Sequence, residues 1–183
     1  MGKLIMWNII TLDGYFDSEK NWELPFHQLI WGPEAEAFSL KQLHGASYLV
    51  FGRVTYEGMA DYWRTATGEI AELMNSLPKV VCSRTLQQAD WNNNQLISGN
   101  IAAEVRQLKS GSSGDLYVFG SANLSETLLQ EGLFDELRIC IAPVLAGRGR
   151  HLFREGFPET SLTCTDTQVL SNGGIILTYQ TKS

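Results

Sequence analysis

Cysteine is scarce in this chain: Cys82, Cys140 and Cys164 are the three among 183 residues. None forms a C-x-x-C pair, which removes a zinc knuckle and a redox dithiol. An odd set of thiols, with no export signal over residues 1–8, fits a reducing cytoplasm. Histidine is as sparse. His27, His44 and His151 lie far apart and outside any H-E-x-x-H frame, and no G-x-S-x-G elbow occurs, so neither a metal site nor serine hydrolysis is expected. Charged residues are 19% of the chain, and acids outnumber bases 20 to 14 for a net charge of −6. Such a field repels polyanions and argues against nucleic acid as a partner. An anionic ligand must then be held by local groups. Long apolar runs are also missing. The longest, residues 137–145, is strand-sized and far short of the ~18 residues of a membrane span.

What is present is a 44% hydrophobic composition with no linker, repeat or low-complexity tract. At roughly 150 residues per domain this length predicts a single domain over residues 1–183. Short apolar runs alternate with helical patterns and are separated by Gly, Asn and Pro. Strands are predicted at 3–11, 47–51, 79–82, 95–98, 116–119 and within 133–145. Helices are predicted at 34–44, 55–63, 68–77, from Asn100 onward, and 123–130. Residues 13–33 read as a long aromatic loop, and loops of that length in a compact domain are commonly functional. Residues 162–170 and 175–181 read as two strands joined by Asn172-Gly173, a strong hairpin signal. Strands alternating with helices, then a hairpin, give an α/β fold with a mainly parallel sheet and an antiparallel edge.

Ligands of such sheets bind beyond the carboxyl ends of strands, at helix N-termini. Two junctions have that form. In Phe51-Gly52-Arg53-Val54-Thr55 the glycine admits a phosphate to the backbone, and Arg53 and Thr55 add donors. Phe119-Gly120-Ser121-Ala122-Asn123-Leu124 repeats the pattern with small residues. Neither is a G-x-G-x-x-G or Walker loop, and a lone glycine also serves a plain tight turn. A third station, Ser83-Arg84-Thr85, leaves a strand with a guanidinium and two hydroxyls, suited to a phosphate monoester such as the 2′-phosphate of NADPH; a solvated loop arginine is the alternative. Carboxylates near the aromatic loop are Asp13, Asp17, Glu19, Glu23, Glu34 and Glu36. Of these, Asp13 and Glu36 are best placed to orient a nitrogen heterocycle or assist its protonation. Arg148, Arg150, His151 and Arg154 form the basic cluster of this acidic chain, suited to a substrate phosphate, a partner subunit or solvent.

The ordered set Thr11-Leu12-Asp13-Gly14, Phe51-Gly52-Arg53-Val54-Thr55-Tyr56-Glu57, Pro78-Lys79-Val80-Val81-Cys82-Ser83-Arg84, Val118-Phe119-Gly120-Ser121-Ala122-Asn123-Leu124 and Pro143-Val144-Leu145-Ala146-Gly147-Arg148-Gly149 resembles the dihydrofolate reductase-like superfamily. The branch it is most similar to holds the C-terminal reductase domain of bifunctional riboflavin-biosynthesis deaminase-reductases. The resemblance spans nearly the whole chain. It implies a three-layer α/β sandwich, NADPH as cofactor, and a homodimer. The pyrophosphate would lie at Gly52, Arg53, Val54 and Thr55 and at Gly120, Ser121, Ala122, Asn123 and Leu124. Ser83, Arg84 and Thr85 would lie at the 2′-phosphate, and Ile9 and Ile10 beside the nicotinamide. Trp7, Trp31, Phe38 or Tyr56 would stack on the substrate, with Glu36 or Asp13 as the carboxylate. The expected activity is hydride transfer to a small heterocycle of the 5-amino-6-(5-phosphoribosylamino)uracil type. A dihydrofolate or pteridine reductase and a non-catalytic NADP-binding module are the alternatives. Folate reductases carry Gly-Gly where this chain has Gly120-Ser121, and the zinc deaminase half is absent.

Overall fold

The computed structural model describes every residue except 19–21, 23, 158 and 183, so Glu19 and Glu23 lie outside the described residues. Strand β1 (Leu4–Thr11) leads into a short β2 (Tyr15–Asp17), a one-turn α1 (His27–Ile30) and α2 (Pro33–His44). Next come β3 (Ala46–Gly52), α3 (Arg53–Trp63), α4 (Glu69–Ser76), β4 (Lys79–Cys82) and β5 (Asn94–Ile97). The chain continues through α5 (Ile101–Gly111), β6 (Asp115–Phe119), α6 (Ala122–Gln130) and β7 (Glu136–Ala142). It closes with β8 (Arg150–His151), β9 (Leu162–Val169) and β10 (Ile175–Thr181).

Eight strands form one sheet in the order β5-β4-β3-β6-β1-β7-β10-β9. The first six run parallel, and β10 pairs antiparallel with both β7 and β9. Right-handed crossovers account for the layers. From β1 through β3 to β5 the chain steps one way across the sheet, and from β5 through β6 to β7 it steps back. Accordingly α2, α3 and α4 cover one face, where Leu43, Tyr56 and Met74 meet Phe51 and Val81. On the other face Val105, Leu124 and Leu128, from α5 and α6, meet Val50, Val80 and Val118. Strands buried on both faces read as unbroken apolar runs. Leu49, Val50 and Phe51 are all fully buried, each contributing ~1.5–3 kcal/mol of transfer free energy.

Local sequence sets the element ends. Asn100 caps α5, its Oδ1 accepting from the Ala103 N–H at 3.1 Å. Gly173 turns the terminal hairpin at φ +90°. The basic cluster has a different setting from the one its composition suggests. Arg150 and His151 form β8, which pairs with β2 in a separate two-stranded sheet. Among the described residues no helix is long and apolar enough to cross a membrane.

Candidate functional site

The carboxyl ends of β1, β3, β4 and β6 open into one cleft of about 2780 Å³, larger than the ~300–1,000 Å³ of a typical small-molecule pocket. The β3–α3 and β6–α6 junctions meet there because β3 and β6 are neighbours in the sheet. They are bonded to each other. The Gly52 N–H donates to Ser121 Oγ at 2.9 Å, and the Ser121 N–H donates to Thr55 Oγ1 at 3.0 Å. Ser121 holds a left-handed backbone at φ +57°, as does Gly120 at φ +57°. A Cβ on Gly120 would come within 3.3 Å of the Thr55 methyl. Neither α3 nor α6 has a side-chain cap at its N-terminus. Two sets of free helical N–H groups therefore border one wall of the cleft, from opposite faces of the sheet.

Strand β1 outruns β6. Its pairing with β6 ends at Trp7 against Phe119, whereas its pairing with β7 continues to Thr11. Over residues 8–11 one edge of β1 has no strand beside it among the described residues. Trp7, Asn8, Ile9 and Thr11 line the cleft there. Asn8 is 4% exposed and its Nδ2 is a buried polar atom without a partner among the described residues.

Most residues predicted for the cofactor come together. Gly52, Arg53, Val54, Thr55, Ser83, Arg84, Ile9 and Gly120 through Leu124 line the cleft, as do Trp7 and Trp31. Arg53 is engaged by Glu57 at 2.9 Å. Arg84 is exposed, and no ion pair or hydrogen bond is found for it among the described residues. Ser83 is buried, its Oγ accepting from the Thr85 and Leu86 N–H groups at 3.2 and 2.9 Å, so its oxygen shapes the turn that projects Arg84.

Six predicted residues are not on the cleft wall. Phe38 packs behind it, its ring 5.1 Å from that of Trp7. Ile10 turns to the opposite sheet face and packs against the core, as the alternation of a strand requires. Thr85 follows the Ser83 turn outward. Tyr56 is a core residue, 3% exposed, its hydroxyl accepting from the Trp91 N–H at 2.7 Å. Glu36 is exposed on α2, away from the cleft. Asp13 is a structural carboxylate. It accepts from Thr11 Oγ1 at 2.6 Å and from the Ala146 and Gly147 N–H groups at 3.0 and 2.7 Å. The Thr11 hydroxyl does most to hold its pKa down at about 2; desolvation opposes it, and the two amides add to the lowering. Asp13 thus anchors the 146–149 loop and has no proton to give at neutral pH.

Other wall residues stand outside the set assigned to cofactor and substrate, with Arg148 and Arg150 part of the basic cluster noted in the sequence. Trp22 lies on α3 at Gly58, where a Cβ would overlap the indole. His27 is kept neutral at physiological pH because burial lowers its pKa to about 4. Arg148 reaches the cleft with no ion partner found among the described residues, while Arg150 pairs with Asp17. Gln42 enters from α2; its setting depends on Arg138, 96 residues away.

A family model, the RibD C-terminal domain, matches residues 2–176. The chain is 29% identical over 182 residues to the uncharacterized protein YyaP of Bacillus subtilis (strain 168), covering 97% of this chain and 94% of that one. A Shewanella sp. PV-4 protein ascribed to riboflavin biosynthesis superposes with a TM-score of 0.81 at 22% identity, over 99% of both chains. RibD of Acinetobacter baumannii gives 0.74 at 18%, over all of this chain and 58% of that one. Dihydrofolate reductase of Enterococcus faecalis, complexed with NADP(H) and RAB-propyl, gives 0.66 at 16%, over 100% of this chain and 98% of that one. At these identities the solved structures establish a shared fold, the dihydrofolate reductase-like sandwich.

Proposed function

Because the chain belongs to the RibD C-terminal domain family, we propose that it is a reductase of the riboflavin-biosynthesis type, using NADPH to reduce a small heterocycle. The observation that carries this reading is the paired set of uncapped helix N-termini at α3 and α6, fastened together through Gly52, Thr55 and Ser121. A dinucleotide pyrophosphate is the ligand such a wall suits.

The residues fit that cofactor at three places. Gly52 through Thr55 and Gly120 through Leu124 would hold the pyrophosphate on backbone N–H groups. Arg84, without an acidic partner among the described residues, would meet the 2′-phosphate. The unpaired edge of β1 at Ile9 would meet the carboxamide of the ring. When bound, the reduced nicotinamide supplies the hydride. The protein contributes position: the Thr55 and Ser121 cross-bonds fix both loops before the ligand arrives, and Trp7 and Trp31 offer flat apolar surface to a ring and exclude water. The substrate in this proposal is of the 5-amino-6-(5-phosphoribosylamino)uracil type, and the working unit is a homodimer. Dihydrofolate is disfavoured, because Glu36, the residue the resemblance assigns as its orienting carboxylate, stands outside the cleft.

The test is oxidation of NADPH by the purified protein with each heterocycle. Turnover with the phosphoribosylamino pyrimidine and none with dihydrofolate is expected. NADPH that binds yet is oxidised by neither would overturn the reductase reading and favour a binding module.

A further inference from the structure

Between α2 and the α3–α4 pair the cleft wall is apolar. Trp7, Leu43, Met59, Trp63, Ile70 and Met74 line it and belong to the core cluster of that sheet face. Two polar side chains of α2 interrupt this surface. Ser39 is spent within its own helix, its hydroxyl donating to the Ala35 carbonyl at 2.8 Å. Gln42 is not. It is 2% exposed and lines the cleft. Its Oε1 accepts from Arg138 Nη1 at 3.2 Å. Its Nε2 has no hydrogen-bond partner among the described residues and is not fully sealed from solvent.

The direction of this amide is forced. A guanidinium donates only, so Arg138 accepts no arrangement in which the Gln42 NH₂ faces it. Arg138 cannot turn away either. Its Nε donates to Glu136 Oε1 at 2.6 Å, and its Nη1 also donates to the Tyr117 hydroxyl at 3.1 Å. The guanidinium is flanked by the Phe38 and Tyr117 rings at 5.9 and 5.5 Å. Glu136 is itself buried and is held on its second oxygen by Lys3 at 3.0 Å. A chain of fixed contacts from Lys3 to Gln42 therefore leaves one outcome at the cleft surface: an N–H donor without a lone pair.

We propose that Gln42 reads the substrate ring as an obligate hydrogen-bond donor, so the site selects a flat heterocycle presenting a carbonyl or equivalent acceptor there and rejects the isostere presenting an amino group. This rests on the reductase reading of the same cleft and adds to it the residue that sets specificity. The energetic basis is the cost of an unmet pair. A donor facing a donor in a dry apolar wall leaves both groups without the water they had in solution. Sites built to bond one group discriminate strongly against its replacement.

Two bicycles of one shape provide the probe: lumazine, a 2,4-dione, and 2,4-diaminopteridine, whose edge carries amino groups instead. Binding of each to the cofactor-free protein is measured by titration calorimetry near neutral pH. Lumazine is expected to bind about tenfold more tightly. Gln42→Glu presents acceptor oxygens in the same volume and gains an ion partner in Arg138, so it should reverse the preference. Gln42→Met fills the space without a polar group and should erase the preference; it serves if the glutamate variant does not fold. A preference unchanged in the variants, a wild-type preference for the diamine, or failure of both bicycles to bind would overturn the proposal. NADPH binding is measured separately on the same samples. No ring preference in the wild-type protein, or one that the variants leave unchanged, with NADPH still bound removes Gln42's role and leaves the reductase reading intact; a preference that follows residue 42 in protein that binds no NADPH keeps Gln42's role and removes the cofactor reading.

Discussion

Lys79 carries a positive charge in a place that does not welcome one. It is 1% exposed, with its ammonium donating to the Asn75 carbonyl at 2.7 Å and lying 4.5 Å from the Trp91 ring centroid. Burial lowers its pKa from 10.5 to about 8. The folded value lies below the unfolded one, so the fold pays its full penalty below pH 8 and is relieved as pH rises toward 10.5. At about 1.4 kcal/mol per unit, wild-type stability should gain on the order of 3 kcal/mol over that window relative to Lys79→Met, as read by urea unfolding. Parallel curves would contradict this. Asp13 behaves oppositely. Its depressed pKa makes its contribution complete above about pH 4 and lost as pH falls toward 2. Asp13→Asn should expose the Ala146 and Gly147 amides to hydrogen exchange while the core remains protected; unchanged protection would show that the carboxylate does not anchor the loop. Arg84→Ala should weaken NADPH about tenfold and leave NADH unaltered. Equal losses would move the 2′-phosphate elsewhere.

Among the elements, the two junctions at α3 and α6 form one unit, since each supplies the other's fixed point. Ser121→Ala removes the acceptor of the Gly52 N–H, worth about 1 kcal/mol. NADPH and NADH should therefore weaken by the same several-fold factor, unlike the selective effect at Arg84. Equilibrium titration of both dinucleotides distinguishes the two. These junctions were legible in the sequence because a buried parallel strand is an unbroken apolar run, and a glycine that ends it marks where the backbone turns. Residues 79–82 form the strand as read for that reason, and 175–181 do so because Asn172-Gly173 marks the hairpin turn before them. Less could be read where a side chain's role depends on a distant partner. Tyr56 and Thr55 are adjacent, yet helix phase sends one into the core and the other to the cleft. Asp13 ends β1 as expected, but the amides that occupy it lie 133 and 134 residues on. The two-residue β8 has no periodicity to detect. Glu36 sits in the first turn of α2 and is exposed, while Ser39 and Gln42 further along the same helix reach the cleft.

For the molecule as a whole, the direction of the crossovers puts the helices on two faces and brings the strand ends into one cleft, while the overall acidity leaves binding of anions to local backbone and arginine groups. Strand β7 lies inside the sheet between β1 and β10, so it does not pair two subunits. The proposed homodimer would instead use a surface such as the edge strand β9, whose side chains are nearly all exposed. Light scattering should then return twice the 20.4 kDa chain mass; a single chain mass at working concentration would remove the dimer and leave the cleft unaffected. The claim on which the rest depends is that this cleft holds a reduced dinucleotide. Four of the tryptophans, Trp7, Trp22, Trp31 and Trp63, line it, so their fluorescence reports occupancy directly. Titration of the unmodified protein with NADPH and with NADH should give saturable quenching that favours NADPH. No change with either, in protein of native circular dichroism, would contradict the account.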